Sequence, residues 1–112
     1  MKELVFKLRS FAKERDWDKF HSPKNLSMAL SVEVSEIVEH FQWITAEESF
    51  NLTPEKLEQV KDEIGDTLIY LVRLSDQLGL DPLQAANQKL QKNKEKYPAD
   101  IVKGKSDKYT DY

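Results

Sequence analysis

The sequence predicts an all-α fold built from four helices. Three observations lead there. Apolar residues recur at three- and four-residue spacing in four separate segments. Helix start and stop residues stand between those segments. No segment alternates apolar and polar residues in the way a half-buried strand does.

Leu4, Leu8, Phe11 and Ala12 define a first amphipathic helix over roughly residues 2–15. The run from Arg15 to Pro23 breaks the period and reads as a loop. Asn25 is the expected cap of a second helix with the stripe Leu26, Leu30, Val34, Ile37 and Phe41, ending near Trp43 or Ile44. Thr53-Pro54-Glu55 opens a third helix with a capping hydroxyl, a proline at the first position and an acid facing the helix dipole. It carries Leu57, Val60, Ile64, Leu68, Leu71 and Leu78, with Val60, Ile64, Leu68 and Leu71 as the expected buried stripe, and Gly79 closes it as a left-handed cap. Asp81-Pro82 opens a fourth helix that runs to about Lys96, and Tyr97-Pro98 ends it. One domain is expected over 1–98, followed by a polar tail over 99–112.

Four acids stand out. Glu33 and Glu36 on the second helix, and Glu63 and Asp66 on the third, each form an i, i+3 pair, so both carboxylates of a pair leave one face of a helix. On a helical wheel both pairs border the apolar stripe, where two packed helices would form a cleft. Four carboxylates converging in a partly desolvated space repel one another, and a hard divalent cation removes that cost. A donor set of carboxylates alone selects Mg²⁺ or Mn²⁺ over zinc. Glu-x-x-His pairs of the di-iron kind are absent, since both second positions are acids. Lys89, Asn93 and Lys96 share one face of the fourth helix, which on these residues alone reads first as a solvated basic face and second as a surface for phosphate oxygens.

Composition narrows the field further. The chain has 112 residues, 39% of them apolar, with 17 basic and 20 acidic residues and a net charge of −3. That balance argues against binding a nucleic-acid polymer or a membrane surface, while leaving room for a single nucleotide. With no cysteine, thiolate zinc sites, disulfides and cysteine nucleophiles are excluded. Met1 to Phe6 lacks the apolar run of a signal peptide, and the longest apolar stretch carries Asp66, Arg73 and Asp76. A cytoplasmic protein without a membrane partner is expected.

Glu33-Val34-Ser35-Glu36 followed by Glu63-Ile64-Gly65-Asp66 resembles the acidic signature of the MazG-like all-α nucleoside triphosphate pyrophosphohydrolases. Arg15-Asp16-Trp17, Phe20 to Leu26, Phe41-Gln42-Trp43, Asp66 to Leu71 and Lys89 to Pro98 resemble the subgroup that contains dCTP pyrophosphatase. The resemblance covers about residues 5–98, with Ser31 and Ser35 where members of the group often carry glycine. It implies a four-helix MazG-like bundle assembling as a dimer or tetramer. It implies Mg²⁺ held by Glu33, Glu36, Glu63 and Asp66, with Mn²⁺ as the alternative. The implied reaction is hydrolysis of a (deoxy)nucleoside triphosphate, dCTP or a modified dNTP, to the monophosphate and pyrophosphate, in control of the nucleotide pool. By the same likeness Trp17, His21, Trp43 and Tyr70 line the nucleoside pocket, while Lys89, Asn93, Lys96 and Tyr97 face the phosphates or sugar. Glu36 and Glu63 are the candidates for orienting or deprotonating the attacking water. The competing expectation is a non-catalytic helical module that binds a metal or a partner.

Overall fold

The computed structural model describes residues 1–99. They contain four α-helices, α1 (Lys2–Glu14), α2 (Pro23–Glu39), α3 (Pro54–Gln77) and α4 (Pro82–Lys96). Short 3-10 turns, Asp18–Phe20 and Glu48–Phe50, lie in the connections, and the described residues include no strand. The chain divides into two compact units, Met1–Leu80 and the residues from Asp81 onward. From residue 100 on, the expected polar tail lies outside the described residues.

Local chemistry explains the boundaries. Thr53 Oγ1 accepts the Lys56 amide, and Asp81 Oδ1 accepts those of Leu83 and Gln84, so both proline-led starts are capped as expected. The start of α2 differs from the sequence expectation. Ser22, not Asn25, is its cap: Ser22 Oγ accepts the Asn25 amide at 3.1 Å, with Pro23 at the first helical position. Asn25 instead donates its side-chain amide to the Phe20 carbonyl at 3.0 Å and fastens the preceding turn. α2 also ends earlier than expected, at Glu39, and passes into turns through Phe41 and Gln42.

Two helix ends use the same left-handed stop. At Gly79, φ is +70°, the Leu80 amide donates to the Ser75 carbonyl and the Gly79 amide to that of Asp76. At Asp16, φ is 55°, the Trp17 amide donates to the Ala12 carbonyl and the Asp16 amide to that of Lys13. An aspartate tolerates this region better than most L residues. Here it turns the chain sharply after α1 and so places Trp17.

In the first unit α2 packs along α3, and α1 packs on α3. The α2–α3 pair is antiparallel: His21, just before α2, meets Gln77 at the far end of α3, while Glu33 and Glu36 meet Glu63 near the middle. Arg9 Nε donates to Asp76 Oδ2 at 2.8 Å and ties α1 to the end of α3. This contact holds the Asp76 carboxyl below the usual carboxylate range.

The buried stripe of α3 is a second correction. Val60 is buried, as expected, but Ile64, Leu68 and Leu71 are exposed, with Ile64 54% accessible. A line of shielded positions runs Val60, Glu63, Thr67, Tyr70 and Leu74, at alternating spacings of three and four, and Val72, Arg73 and Ser75 are buried as well towards the C-terminal end. On α2 the matching line is Leu26, Leu30, Glu33 and Ile37, continued by Phe41 in the turn after it. Glu33 and Glu63 therefore lie on the packed seam rather than beside it, while Asp66 is exposed. Among the described residues, no helix is long and apolar enough to cross a membrane.

Leu26 is 1% exposed, and cutting it back would leave a cavity. Leu26→Ala is predicted to cost about 2–5 kcal/mol, measured by urea unfolding. A loss under about 1 kcal/mol would place the core elsewhere.

Candidate functional site

Glu33, Glu36 and Glu63 converge. One carboxylate oxygen from each lies within 4.8 Å of the others. The helix period puts Glu33 and Glu36 one turn apart, and the antiparallel seam sets Glu63 opposite them. The side chains are only half-buried as wholes, yet Glu33 Oε2 and Glu63 Oε2 are shielded and have no hydrogen-bond partner. Shielded carboxylate oxygens without a donor are costly.

The electrostatics follow from the crowding. Glu63 is pushed up to about 7, first by its hydrogen bond with Glu36, then by burial and the charges of Glu36, Glu33 and Asp66. Crowding of like charges and burial both favour the neutral carboxyl, so Glu63 holds its proton to a higher pH than an isolated acid does. Glu33 is raised as well, mainly by burial, then by its hydrogen bond with Glu36 and the charges of Glu36 and Asp66; Glu63 opposes the shift. Unpaired oxygens, mutual repulsion and an oxygen-only donor set all suit a hard divalent cation.

Asp66 stands apart from this trio, and it lines a neighbouring cavity of about 220 Å³. Leu8, Phe11, Trp17, Ile69 and Tyr70 form much of the wall, and His21 and Arg73 add polar groups. Three residues singled out in the sequence, Trp17, His21 and Tyr70, thus line one cavity together with Asp66. Trp17 packs edge-on against Phe11 with ring centroids 5.6 Å apart, and its ring lies 6.1 Å from that of His21. Trp43 lies outside this cavity, 87% exposed in the turns after α2. Lys89, Asn93 and Lys96 share a face of α4, and Tyr97 is its C-terminal cap, donating its amide to the Asn93 carbonyl. α4 belongs to the second unit and is described by itself.

Sequence patterns alone did not reveal Arg73. It is 4% exposed, donates to Asp18 Oδ1 at 3.0 Å and to His21 Nδ1 at 3.4 Å, and has Asp76 at 3.8 Å. The available signal was a lone guanidinium inside the apolar run from Leu68 to Leu74. A buried arginine needs partners, but those partners lie in a loop about fifty positions away.

Residues 28–112 match the model of the MazG-like family. Over 103 residues the chain is 41% identical to dCTP pyrophosphatase 1 of Homo sapiens and 42% identical to that of Bos taurus. Each alignment covers 90% of this chain and 61% of the relative, so the chain spans about three-fifths of those proteins. It also matches the crystal structure of a pyrophosphatase from Archaeoglobus fulgidus, with a TM-score of 0.83 and 42% identity. That match covers 88% of this chain and 92% of the other.

The acid trio makes stability depend on pH. Glu63 keeps its proton up to about 7 in the fold but only to 4.5 when unperturbed. Between those values the folded state binds more protons, so the trio's contribution falls as pH rises. His21, lowered by burial and by Arg73, acts with the opposite sign, so wild type is best compared with Glu63→Gln. Without metal, Glu63→Gln is predicted to be the more stable protein at about pH 8, with the gap closing towards 4.5 in denaturant unfolding. Millimolar Mg²⁺ should stabilise wild type more than the variant. A gap independent of pH would contradict the proton held by Glu63.

Proposed function

This chain belongs to the MazG-like family, and on that premise we propose that it hydrolyses nucleoside triphosphates between the α- and β-phosphates. The observation that carries the proposal is the juxtaposition of two sites. An acid trio with unpartnered shielded oxygens lies on the α2–α3 seam, and Asp66, whose charge acts on that trio, lines an aromatic cavity. The similarity to dCTP pyrophosphatase 1 from several mammals supports dCTP or a modified deoxynucleotide as substrate.

The proposed division of labour follows from size and charge. A cavity of about 150 Å³ accommodates a benzene ring, so the 220 Å³ cavity suits one base rather than a whole nucleotide. Trp17 and Tyr70 offer flat faces for it, and Trp43 would join them if a partner or a moving turn covered it. Glu33, Glu36 and Glu63 would hold Mg²⁺ or Mn²⁺, with Asp66 at the edge facing the nucleotide. When bound, the cation supplies positive charge against the phosphate oxygens. Glu36 or Glu63 orients a water molecule and takes its proton as the water oxygen attacks the α-phosphorus. The bond from the α-phosphorus to the bridging oxygen breaks, and pyrophosphate leaves with that oxygen. Lys89, Asn93, Lys96 and Tyr97 are proposed for the phosphates and sugar.

Self-association belongs to the same proposal. Ile64, Leu68 and Leu71 on α3, and Val34 and Val38 on α2, leave apolar surface in water that a second copy of this chain would cover. A dimer or tetramer in the cytoplasm, controlling the nucleotide pool, fits such a catalyst.

A panel of dNTPs and NTPs with Mg²⁺, with products resolved by chromatography, tests the activity. Monophosphate plus pyrophosphate is expected, and Glu63→Gln should lower kcat at least about 100-fold while retaining its helical circular dichroism. Release of single phosphate would move the cleavage site. No turnover on any substrate would favour a binding module.

A further inference from the structure

His21 is fixed from three sides. Its backbone carbonyl accepts the Gln77 side-chain amide at 2.7 Å. Its ring tilts against Trp17. Its Nδ1 faces the Arg73 guanidinium, 3.4 Å from Nε and 3.3 Å from one terminal nitrogen. A guanidinium has donors and no acceptor, and it does not lose its proton in proteins. Nδ1 must therefore present its lone pair to Arg73, and in the neutral ring the proton must sit on Nε2.

Arg73 is itself held in place. It is almost wholly buried, Asp18 accepts from its terminal nitrogen, and Asp76 stands 3.8 Å away under the grip of Arg9. Turning the guanidinium away from His21 would break the contact with Asp18. The groups that face His21 are thus Arg73 from α3 and Asp18 from the turn before α2, with Trp17 as the aromatic neighbour.

We propose that Arg73 is a positioning residue that locks His21 in the Nε2–H tautomer, so that the cavity offers a fixed N–H donor to an acceptor atom on the edge of the bound base. The donor role rests on the nucleotide proposal above; the tautomer does not. A fixed donor favours a base with a carbonyl or unprotonated ring nitrogen at that edge, and it disfavours one that presents a donor there, since two N–H groups would face each other in a shielded space. Burial and the Arg73 charge also lower the affinity of His21 for a second proton, which keeps the ring neutral.

Two readouts separate the parts. Nitrogen-15 NMR of the histidine rings, with His40→Gln used for assignment, should show His21 as the Nε2–H tautomer near neutral pH. Arg73→Met should give a mixture of tautomers. With dCTP and Mg²⁺, Arg73→Met should raise KM about tenfold, with a smaller effect on kcat. The triphosphate of 2-deoxyribose, which has no base, should show no such rise in KM. If circular dichroism shows that Arg73→Met does not fold, Asp18→Asn releases the guanidinium from its more exposed partner and should move both readouts in the same direction by less. An Nδ1–H tautomer in wild type overturns the proposal, as does a variant that keeps both the tautomer and KM. Wild-type protein that hydrolyses no triphosphate overturns the donor role together with the proposed function, while the NMR result still reports on the lock.

Discussion

Glu33, Glu36 and Glu63 occupy a space too small for three negative charges in partial isolation from water. The first unit is arranged around that conflict. α2 and α3 cannot turn the acids outward without also turning Leu26 and Val60 out of the core, because they share one stripe. Hydrophobic packing therefore holds the carboxylates together against their repulsion. A retained proton offsets part of the cost in the metal-free protein, and a divalent cation would offset it more fully.

A second electrostatic assembly closes the far end of the seam. Arg9, Asp76, Arg73, Asp18 and His21 form a chain of charged and polar contacts from α1 across α3 to the turn before α2. It does for the cavity what helix packing does for the acids, because it fixes where the polar groups of an aromatic wall stand. The two assemblies differ in charge balance: the first holds only acids, and the second pairs two arginines with two aspartates. The acid trio is short of positive charge, whereas Arg73 has an acid on each side. A cation is needed at the first and not at the second.

Much of this was legible in the sequence because it depends on local chemistry. Proline and capping hydroxyls mark helix starts whatever the tertiary structure, and the i, i+3 spacing puts two carboxylates on one face without reference to the rest of the chain. The Ser22-Pro23 start was missed because Asn25, another good capping residue, stands three positions later and takes a different role in the preceding turn. The α3 stripe was misassigned for a deeper reason. Hydrophobicity marks what should leave water, not which surface covers it. Ile64, Leu68 and Leu71 form the more apolar ridge, but the seam with α2 uses the neighbouring line through Glu63 and Tyr70. Arg73 was hidden because Asp18 and His21, to which it donates, are remote in sequence.

The central claim is that the acid trio holds a proton in place of a cation and gives it up when the cation binds. Calorimetric titration of Mg²⁺ into the metal-free protein, in buffers of different ionisation enthalpy, counts protons released on binding. Ligating carboxylates must be deprotonated, so roughly one proton should leave per site at pH 6, falling towards none above the value of about 7 set by Glu63. Glu63→Gln should abolish most of that release. Tight Mg²⁺ binding with no proton release at pH 6, or no binding at any pH, would contradict the account.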